Sequence, residues 1–201
     1  MNCFDGKEIK RAFSCLTLIF ICAGGALGQP RQRSSSGTKR QTKTRTSVSL
    51  PQDLIRQFVS NEANVRKYVS EGNDPATRFN ASLIDLNGDG KAEYEIGASD
   101  PSSSPFCGVS GLCAFWLYRK VGDRWELLLS ASGGLLLLKT QTSGYRDISS
   151  DSWGGANDKY TTIFKFDGRR YEASECLEYK AVEVAKGPSR WKLVRRGRCG
   201  R

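Results

Sequence analysis

The chain contains no histidine among its 201 residues. Without an imidazole, neither a Ser-His-Asp triad nor a Cys-His pair is available for nucleophilic catalysis. Cysteines that are oxidised to disulfides are also unavailable as nucleophiles. Carboxylates are the catalytic groups that remain, since two acids at a suitable separation can hydrolyse a glycosidic bond.

The first 28 residues have the layout of a secretory signal peptide. Three basic residues precede an apolar run at 12–23, and the small residues Ala26 and Gly28 follow it. The run is too short to span a bilayer. Cys22 suggests a lipoprotein as an alternative, but the bulky Ile21 stands where a lipoprotein signal has a small residue. We predict cleavage near Gly28, a secreted or periplasmic protein, and no transmembrane segment after processing.

Basic residues are concentrated at the two ends of the exported chain. Residues 29–47 carry six basic side chains and no acid in a Ser, Thr and Gln background, which predicts a disordered basic linker. Residues 186–201 carry seven basic side chains and no acid. Such ends attract phosphates, anionic lipid head groups or cell-wall polymers, or serve only as solvated tails. Trp191 is the sole aromatic residue of the C-terminal basic segment, so an aromatic platform for nucleic acid is not predicted.

The segment 85–96 places oxygen-bearing side chains at alternate positions around a glycine turn. Calcium loops take ligands at positions one, three, five, seven and nine, with glycine at six and a backbone carbonyl at seven. Those ligand positions hold Asp85, Asn87, Asp89, Lys91 and Glu93. In a helix-loop-helix hand, position twelve carries a bidentate glutamate, whereas this chain has Ile96 there. Glu95 on the outgoing strand is the candidate to close the shell. The spacing predicts a calcium site between two strands.

A tight hairpin turn is the alternative interpretation of this segment, because Asn-Gly and Asp-Gly both tolerate positive φ. A plain turn does not require carboxylates at every second position. The segment resembles the strand-associated Asp-x-Asn-Gly-Asp-Gly-x-x-Asp/Glu loops of FG-GAP and dockerin-like proteins. That resemblance implies a bound metal and implies no activity.

Four cysteines remain after the predicted cleavage, and in an exported chain they indicate disulfides. Cys107 and Cys113 bracket a short loop, which favours a local bridge. Cys176 and Cys199 are then left to join the C-terminal segment to the domain. A zinc site is the alternative, but the chain has neither histidine nor a closely spaced Cys-x-x-Cys.

A single domain is predicted over 48–201, beginning with a helix. Apolar residues recur at helical spacing over 54–69 and stop at Gly72. The segment that starts at Ser49 has the form of a capping box with an early proline.

From Arg78 onward the apolar residues alternate with period two. The runs at 127–129 and 135–138 are continuously apolar, which predicts strands buried on both faces. Strands are predicted at 78–86, 93–98, 114–120, 125–132, 135–141, 160–166 and 169–173, with weaker signals near Tyr145, Glu178 and Lys192. Short strands at regular spacing predict a mainly β domain, an antiparallel sandwich or propeller-like sheets, with one N-terminal amphipathic helix outside.

Two further segments, 144–148 and 160–171, resemble a pattern of uncharacterised exported bacterial proteins. These proteins often combine it with a calcium loop and a Cys-Gly-x-x-Gly-x-Cys element such as the one at Cys107. The combination is also similar to calcium-binding periplasmic lysozyme inhibitors. Inhibitors of that kind often use a Ser-Gly-x-x-Tyr loop, whereas Ser143, Gly144 and Tyr145 are contiguous here.

Residues 143–158 are predicted to form a polar, glycine-containing loop that contacts a partner. Tyr145, Arg146 and Trp153 are the anchor types that carry binding energy at interfaces. We therefore predict an exported, calcium-binding recognition module without catalysis. Its partner is a protein or an envelope polysaccharide, and inhibition of another protein is one function that such a module can have.

Two alternatives of other classes remain open. The first is a carboxylate-based hydrolase of envelope polysaccharide that uses Asp147, Asp151 or Asp158. The second is a cationic cell-surface adhesion protein that acts through the basic ends.

Overall fold

Strand 114–121 carries apolar side chains on both of its faces. Phe115 and Leu117 point into one hydrophobic cluster, and Trp116 and Tyr118 point into another on the opposite face. This pattern requires a strand that is covered on both sides. The structure is a computed structural model, and it describes residues 46–98, 105–108, 112–183 and 189–199. The predicted signal peptide lies outside the described residues.

The described residues form two antiparallel sheets and three helices. The helices are α1 (Gln52–Asn61), α2 (Ala63–Ser70) and α3 (Pro75–Arg78). The first sheet, in the order β1-β2-β3-β4-β5, contains β1 (Thr46–Val48), β2 (Phe79–Ile84), β3 (Glu93–Ala98), β4 (Ala114–Val121) and β5 (Arg124–Ser132). The second sheet, in the order β10-β9-β8-β7-β6, contains β6 (Gly134–Thr142), β7 (Tyr145–Gly155), β8 (Asp158–Phe166), β9 (Tyr171–Val182) and β10 (Arg190–Arg198). The predicted mainly β fold is confirmed.

The two sheets pack face to face as a sandwich. Their shared cluster joins side chains of the first sheet, such as Leu117 and Leu128, to Ile148, Phe166 and Tyr171 of the second. A separate cluster lies between the helices and the outer face of the first sheet. The helices therefore cover one sheet, and the second sheet covers its other face.

Helix α1 is joined to the first sheet by polar contacts as well as apolar ones. Asp53 Oδ2 accepts hydrogen bonds from the indole Nε1 of Trp125 (2.9 Å) and from Lys120 Nζ (3.2 Å). Gln57 Oε1 accepts from the Trp125 backbone N–H at 3.1 Å. The hydrogen bond from Trp125 is the main cause that lowers the pKa of Asp53, so this carboxylate remains ionised at neutral pH.

Both predicted disulfides are confirmed. Cys107 bonds to Cys113, and these two residues also form an isolated antiparallel bridge. Cys176 of β9 bonds to Cys199, which follows β10. The second disulfide therefore attaches the basic edge strand β10 to the sheet. In the described part of the chain, no helix is long and apolar enough to cross a membrane.

Three predictions about the N-terminal part of the domain were wrong. Residues 29–45 of the predicted linker lie outside the described residues, and its end at 47 is too late, because Thr46 and Ser47 already pair with β2 through backbone bonds that need no apolar side chain. The predicted single helix is broken at Glu62, whose backbone is extended. The predicted capping box does not form, since α1 begins at Gln52 after Pro51 with no side-chain cap bond.

The burial predicted for 135–138 was also wrong. Only one face of β6 lies toward the first sheet, and successive side chains of a strand point to opposite faces. Leu136 is consequently 47% exposed, whereas Leu135 and Leu137 pack against the shared cluster.

Candidate functional site

The predicted calcium segment forms the connection between β2 and β3. Gly88 and Gly90 have φ values of 78° and 82°, a conformation that a side chain disfavours. Asn-Gly and Asp-Gly thus supply the two left-handed positions of the turn. The predicted placement of the segment between two strands is confirmed.

Side-chain oxygens hold this loop in shape. Asp85 Oδ1 accepts from the Gly88 N–H (2.6 Å), Asn87 Oδ1 accepts from the Asp89 N–H (3.1 Å), and Asp89 Oδ1 accepts from the Lys91 N–H (2.7 Å). The hydrogen bond from the Lys91 N–H is the main cause that lowers the pKa of Asp89, so it stays a carboxylate. These hard oxygens are the donors that calcium prefers.

Glu93 begins β3 as a buried carboxylate, only 4% exposed. Its Oε2 accepts a hydrogen bond from the Leu86 backbone N–H at 2.9 Å. Burial raises the pKa of Glu93, and the negative charges of Asp85 and Asp89 raise it further. The charges of Asp85 and Asp89 therefore disfavour the ionised form of Glu93, and a cation held beside Glu93 would offset that effect.

The donor set of the loop is mixed. In the described part of the chain, no group of three or more His, Cys, Asp or Glu side chains is arranged to hold a metal ion. The carboxylates of Asp85, Asp89 and Glu93 are thus not gathered as a metal-binding group here, and the predicted shell would add to them the amide oxygen of Asn87 and the carbonyl of Lys91. Glu95, predicted to close the shell, faces a neighbouring strand, where its Oε2 accepts from Ser82 Oγ at 3.1 Å.

The prediction that 143–158 forms a loop was wrong, because most of it is strand β7 inside the second sheet, and partner binding by this segment stays a prediction. Only the turn Ser143–Gly144 precedes the strand. Alternation did not reveal β7, since four consecutive residues, three of them polar, are buried at 147–150. Polar residues in this segment line the interior and do not mark a loop.

Tyr145 and Arg146 are used within the fold. The Tyr145 ring stacks on Phe166 with centroids 4.1 Å apart, and its hydroxyl accepts from Arg119 Nη1 at 3.2 Å. Arg146 Nε donates to the Leu138 carbonyl at 2.9 Å. Both side chains thus have contacts within the sandwich, and their role as partner anchors stays a prediction.

Trp153 is the predicted anchor that reaches solvent, at 40% exposed. Its ring lies 5.2 Å from that of Trp191 on β10, which is 39% exposed. Lys159 Nζ lies 5.8 Å from the Trp153 centroid and 5.6 Å from that of Tyr179. We call Trp153, Lys159, Tyr179 and Trp191 the aromatic surface. In the sequence Trp191 is only the sole aromatic residue of the C-terminal basic segment, and its contact with Trp153 appears once the strands are paired.

The aspartates considered for hydrolysis have other contacts. Asp151 pairs with Lys159 (2.8 Å) and accepts from Thr161 Oγ1 (2.6 Å). Asp158 pairs with Lys180 at 2.5 Å, and this pairing is the main cause that raises the pKa of Lys180. Both side chains are therefore engaged in ion pairs within the second sheet.

Comparison with protein-family models, curated proteins and solved structures finds no match. The resemblances to calcium-loop proteins and to lysozyme inhibitors stay predictions. The 85–93 loop and the aromatic surface are therefore the features that bear on function.

Proposed function

We propose that the protein is an exported, calcium-binding recognition module without catalytic activity, which binds another protein through its aromatic surface. The exposed pair Trp153 and Trp191 is the observation that carries this proposal. Large aromatic side chains are usually buried, and exposed ones on a rigid scaffold are typical anchors of interfaces.

The strand framework favours binding without a large ordering cost. Trp153, Lys159, Tyr179 and Leu193 occupy paired positions on four adjacent strands, β7 to β10. Hydrogen-bonded strands hold these side chains in one arrangement, so little conformational entropy is lost on binding. Leu193 is 44% exposed and extends the apolar area toward the edge of the sheet.

Calcium would be structural in this account. Asp85, Asn87, Asp89 and Glu93, with the Lys91 carbonyl, would hold it at the β2–β3 connection. The ion would neutralise the three carboxylates and stabilise that end of the sandwich. The aromatic surface lies on the second sheet, so partner contact and metal binding use different residues.

Adhesion to an anionic surface is a second candidate, and strand β10 favours it. Every residue of β10 is exposed. Five of its nine residues are basic, and Arg196 alone is paired with an acid in the described contacts, with Glu175. A surface of this charge attracts anionic polymers, and the attraction weakens as salt is added.

Trp153→Ala is expected to weaken partner binding by at least about 1 kcal/mol, roughly fivefold in Kd. The indole contributes apolar area and a flat ring that alanine lacks. Affinity is measured by calorimetry against the protein or polysaccharide that the wild-type chain retains from an envelope extract. The calcium dependence of melting should not change.

Leu136→Ala is the matched control, since Leu136 is an exposed apolar residue on the opposite edge strand β6. Equal losses in both variants would contradict the proposal. Cleavage of an envelope glycan by the wild type, abolished in Asp158→Asn, would show that the hydrolase alternative is right.

A further inference from the structure

Exposed apolar side chains are concentrated where strands β9 and β10 pair. Eight large apolar side chains are exposed in the described part of the chain. Four of them lie on this pair of strands: Val182, Trp191, Leu193 and Val194. Val182 pairs with the first residue of β10, so all four lie toward the same end of the strand pair.

The cations of β10 are largely without acidic partners. Arg196 pairs with Glu175 at 2.6 Å. The other basic residues of the strand pair with no acid in the described contacts, and these are Arg190, Lys192, Arg195 and Arg198. Glu178 lies opposite Arg195 in the register but approaches Lys180 instead, at 3.6 Å. Strand β10 therefore presents positive charge that the sheet does not neutralise.

The strand geometry places the apolar side chains next to one another. Trp191 and Leu193 are two residues apart and so share a face of the strand. The register against β9 shifts between Leu193 and Arg195, and Val194 is the extra residue of this bulge. The Cys176–Cys199 disulfide holds the strand to its neighbour. Basic residues on an edge strand also prevent pairing with other chains, but that role does not require exposed apolar side chains beside them.

We propose that β10 binds the surface of a lipid bilayer that contains anionic lipids. Phosphate head groups supply the counter-charge for its unpaired cations. Tryptophan prefers the depth of the head groups, and Leu193 and Val194 add apolar area that enters the interface. Long basic side chains keep their charge among the head groups while their stems cover apolar surface. An anionic polysaccharide would use the cations alone and would leave the apolar side chains without a role.

This inference rests on the second candidate function, adhesion to an anionic surface, and specifies that surface as a bilayer. It does not depend on protein binding through Trp153. Because Trp191 also belongs to the aromatic surface, the test leaves it unchanged.

The test is co-sedimentation of the exported chain with vesicles of phosphatidylcholine and phosphatidylglycerol, and with vesicles of phosphatidylcholine alone. The wild type should bind the anionic vesicles more strongly than the neutral ones. Arg195→Gln should weaken binding to the anionic vesicles roughly fivefold, because one cation near the surface is lost. Leu193→Ser should weaken it about threefold or more, because serine lacks the apolar area. Both side chains are exposed, so the melting temperature should not change.

Leu136→Ser and Lys139→Gln are the matched controls, since both residues are exposed on the opposite edge strand β6. They should bind the vesicles as the wild type does. Residues 29–45 are present in every variant, so differences between the variants report on β10. Equal losses in Leu136→Ser and Leu193→Ser would overturn the inference.

The remaining outcomes separate this inference from the proposed functions. A loss in Arg195→Gln without one in Leu193→Ser would overturn the bilayer and leave adhesion through charge alone. Binding of soluble polyglutamate in place of vesicles would assign the strand to an acidic protein. A wild-type chain that binds neither kind of vesicle would overturn this inference, while protein capture that is lost in Trp153→Ala would still support the recognition module.

Discussion

Saturating calcium is expected to raise the melting temperature of the wild-type protein, and Asp89→Ala should remove that rise. A ligand that binds only the folded state adds about 2.7 kcal/mol at one hundred times its Kd. For a domain of this size that corresponds to roughly 5–11 °C. Asp89 accepts the hydrogen bond that holds the loop and is one of the proposed metal ligands. Melting is followed by circular dichroism with added calcium and with chelator.

The readout is the calcium-induced difference, because Asp89→Ala also loses the bond from Lys91 and so melts lower in chelator. Asp123→Ala, in the turn between β4 and β5, removes an exposed carboxylate elsewhere and should retain the full rise. Magnesium should have little effect, since it demands octahedral geometry and keeps its waters. A wild-type chain that melts identically in calcium and in chelator would show that the loop is only a turn.

Phe58→Ala is expected to lower the free energy of unfolding by about 3–5 kcal/mol. Phe58 of α1 is fully buried. Its ring meets those of Phe79 and Trp116 edge to face, with centroids 5.0 and 4.9 Å away. The alanine variant leaves a cavity between the helix and the first sheet that rigid neighbours fill only in part. Urea unfolding monitored by fluorescence measures the loss.

Gln52→Ala is the control, because this exposed first residue of α1 should change stability by no more than about 0.5 kcal/mol. A loss below about 1 kcal/mol for Phe58→Ala would mean that the helix does not pack on the sheet as described. The helix matters to the site because it covers the outer face of the sheet that carries the calcium loop.

The features that the sequence predicts well are local ones. The turn between β2 and β3 follows from Asn-Gly and Asp-Gly spacing, which requires positive φ at two nearby glycines. The Cys107–Cys113 bridge follows from a separation of six residues. Strands β4 and β5 follow from apolar alternation around Gly122. Each signal lies within a dozen residues, so no knowledge of distant contacts is needed.

The features that the sequence does not predict depend on strand register. Strand β7 looks like a loop in the sequence because its polar residues Asp147, Ser149 and Ser150 are typical of loops, yet they are buried. The contact of Trp153 with Trp191 joins residues 38 positions apart in the chain. It depends on the order of the strands in the sheet, which apolar alternation does not reveal. The contact of Arg146 with Leu86 likewise appears only once the sheets are packed. The sequence therefore locates the loop between β2 and β3 but does not show that strand β7 of the second sheet contacts it.

Capture by the immobilised chain tests the central claim most directly. Wild type and Trp153→Ala are incubated in calcium with envelope extract and culture fluid, and the retained material is compared. The account predicts a protein that the wild type retains and Trp153→Ala releases, with no soluble glycan fragments formed. Identical retention by both chains, or release of glycan fragments by the wild type, would contradict it.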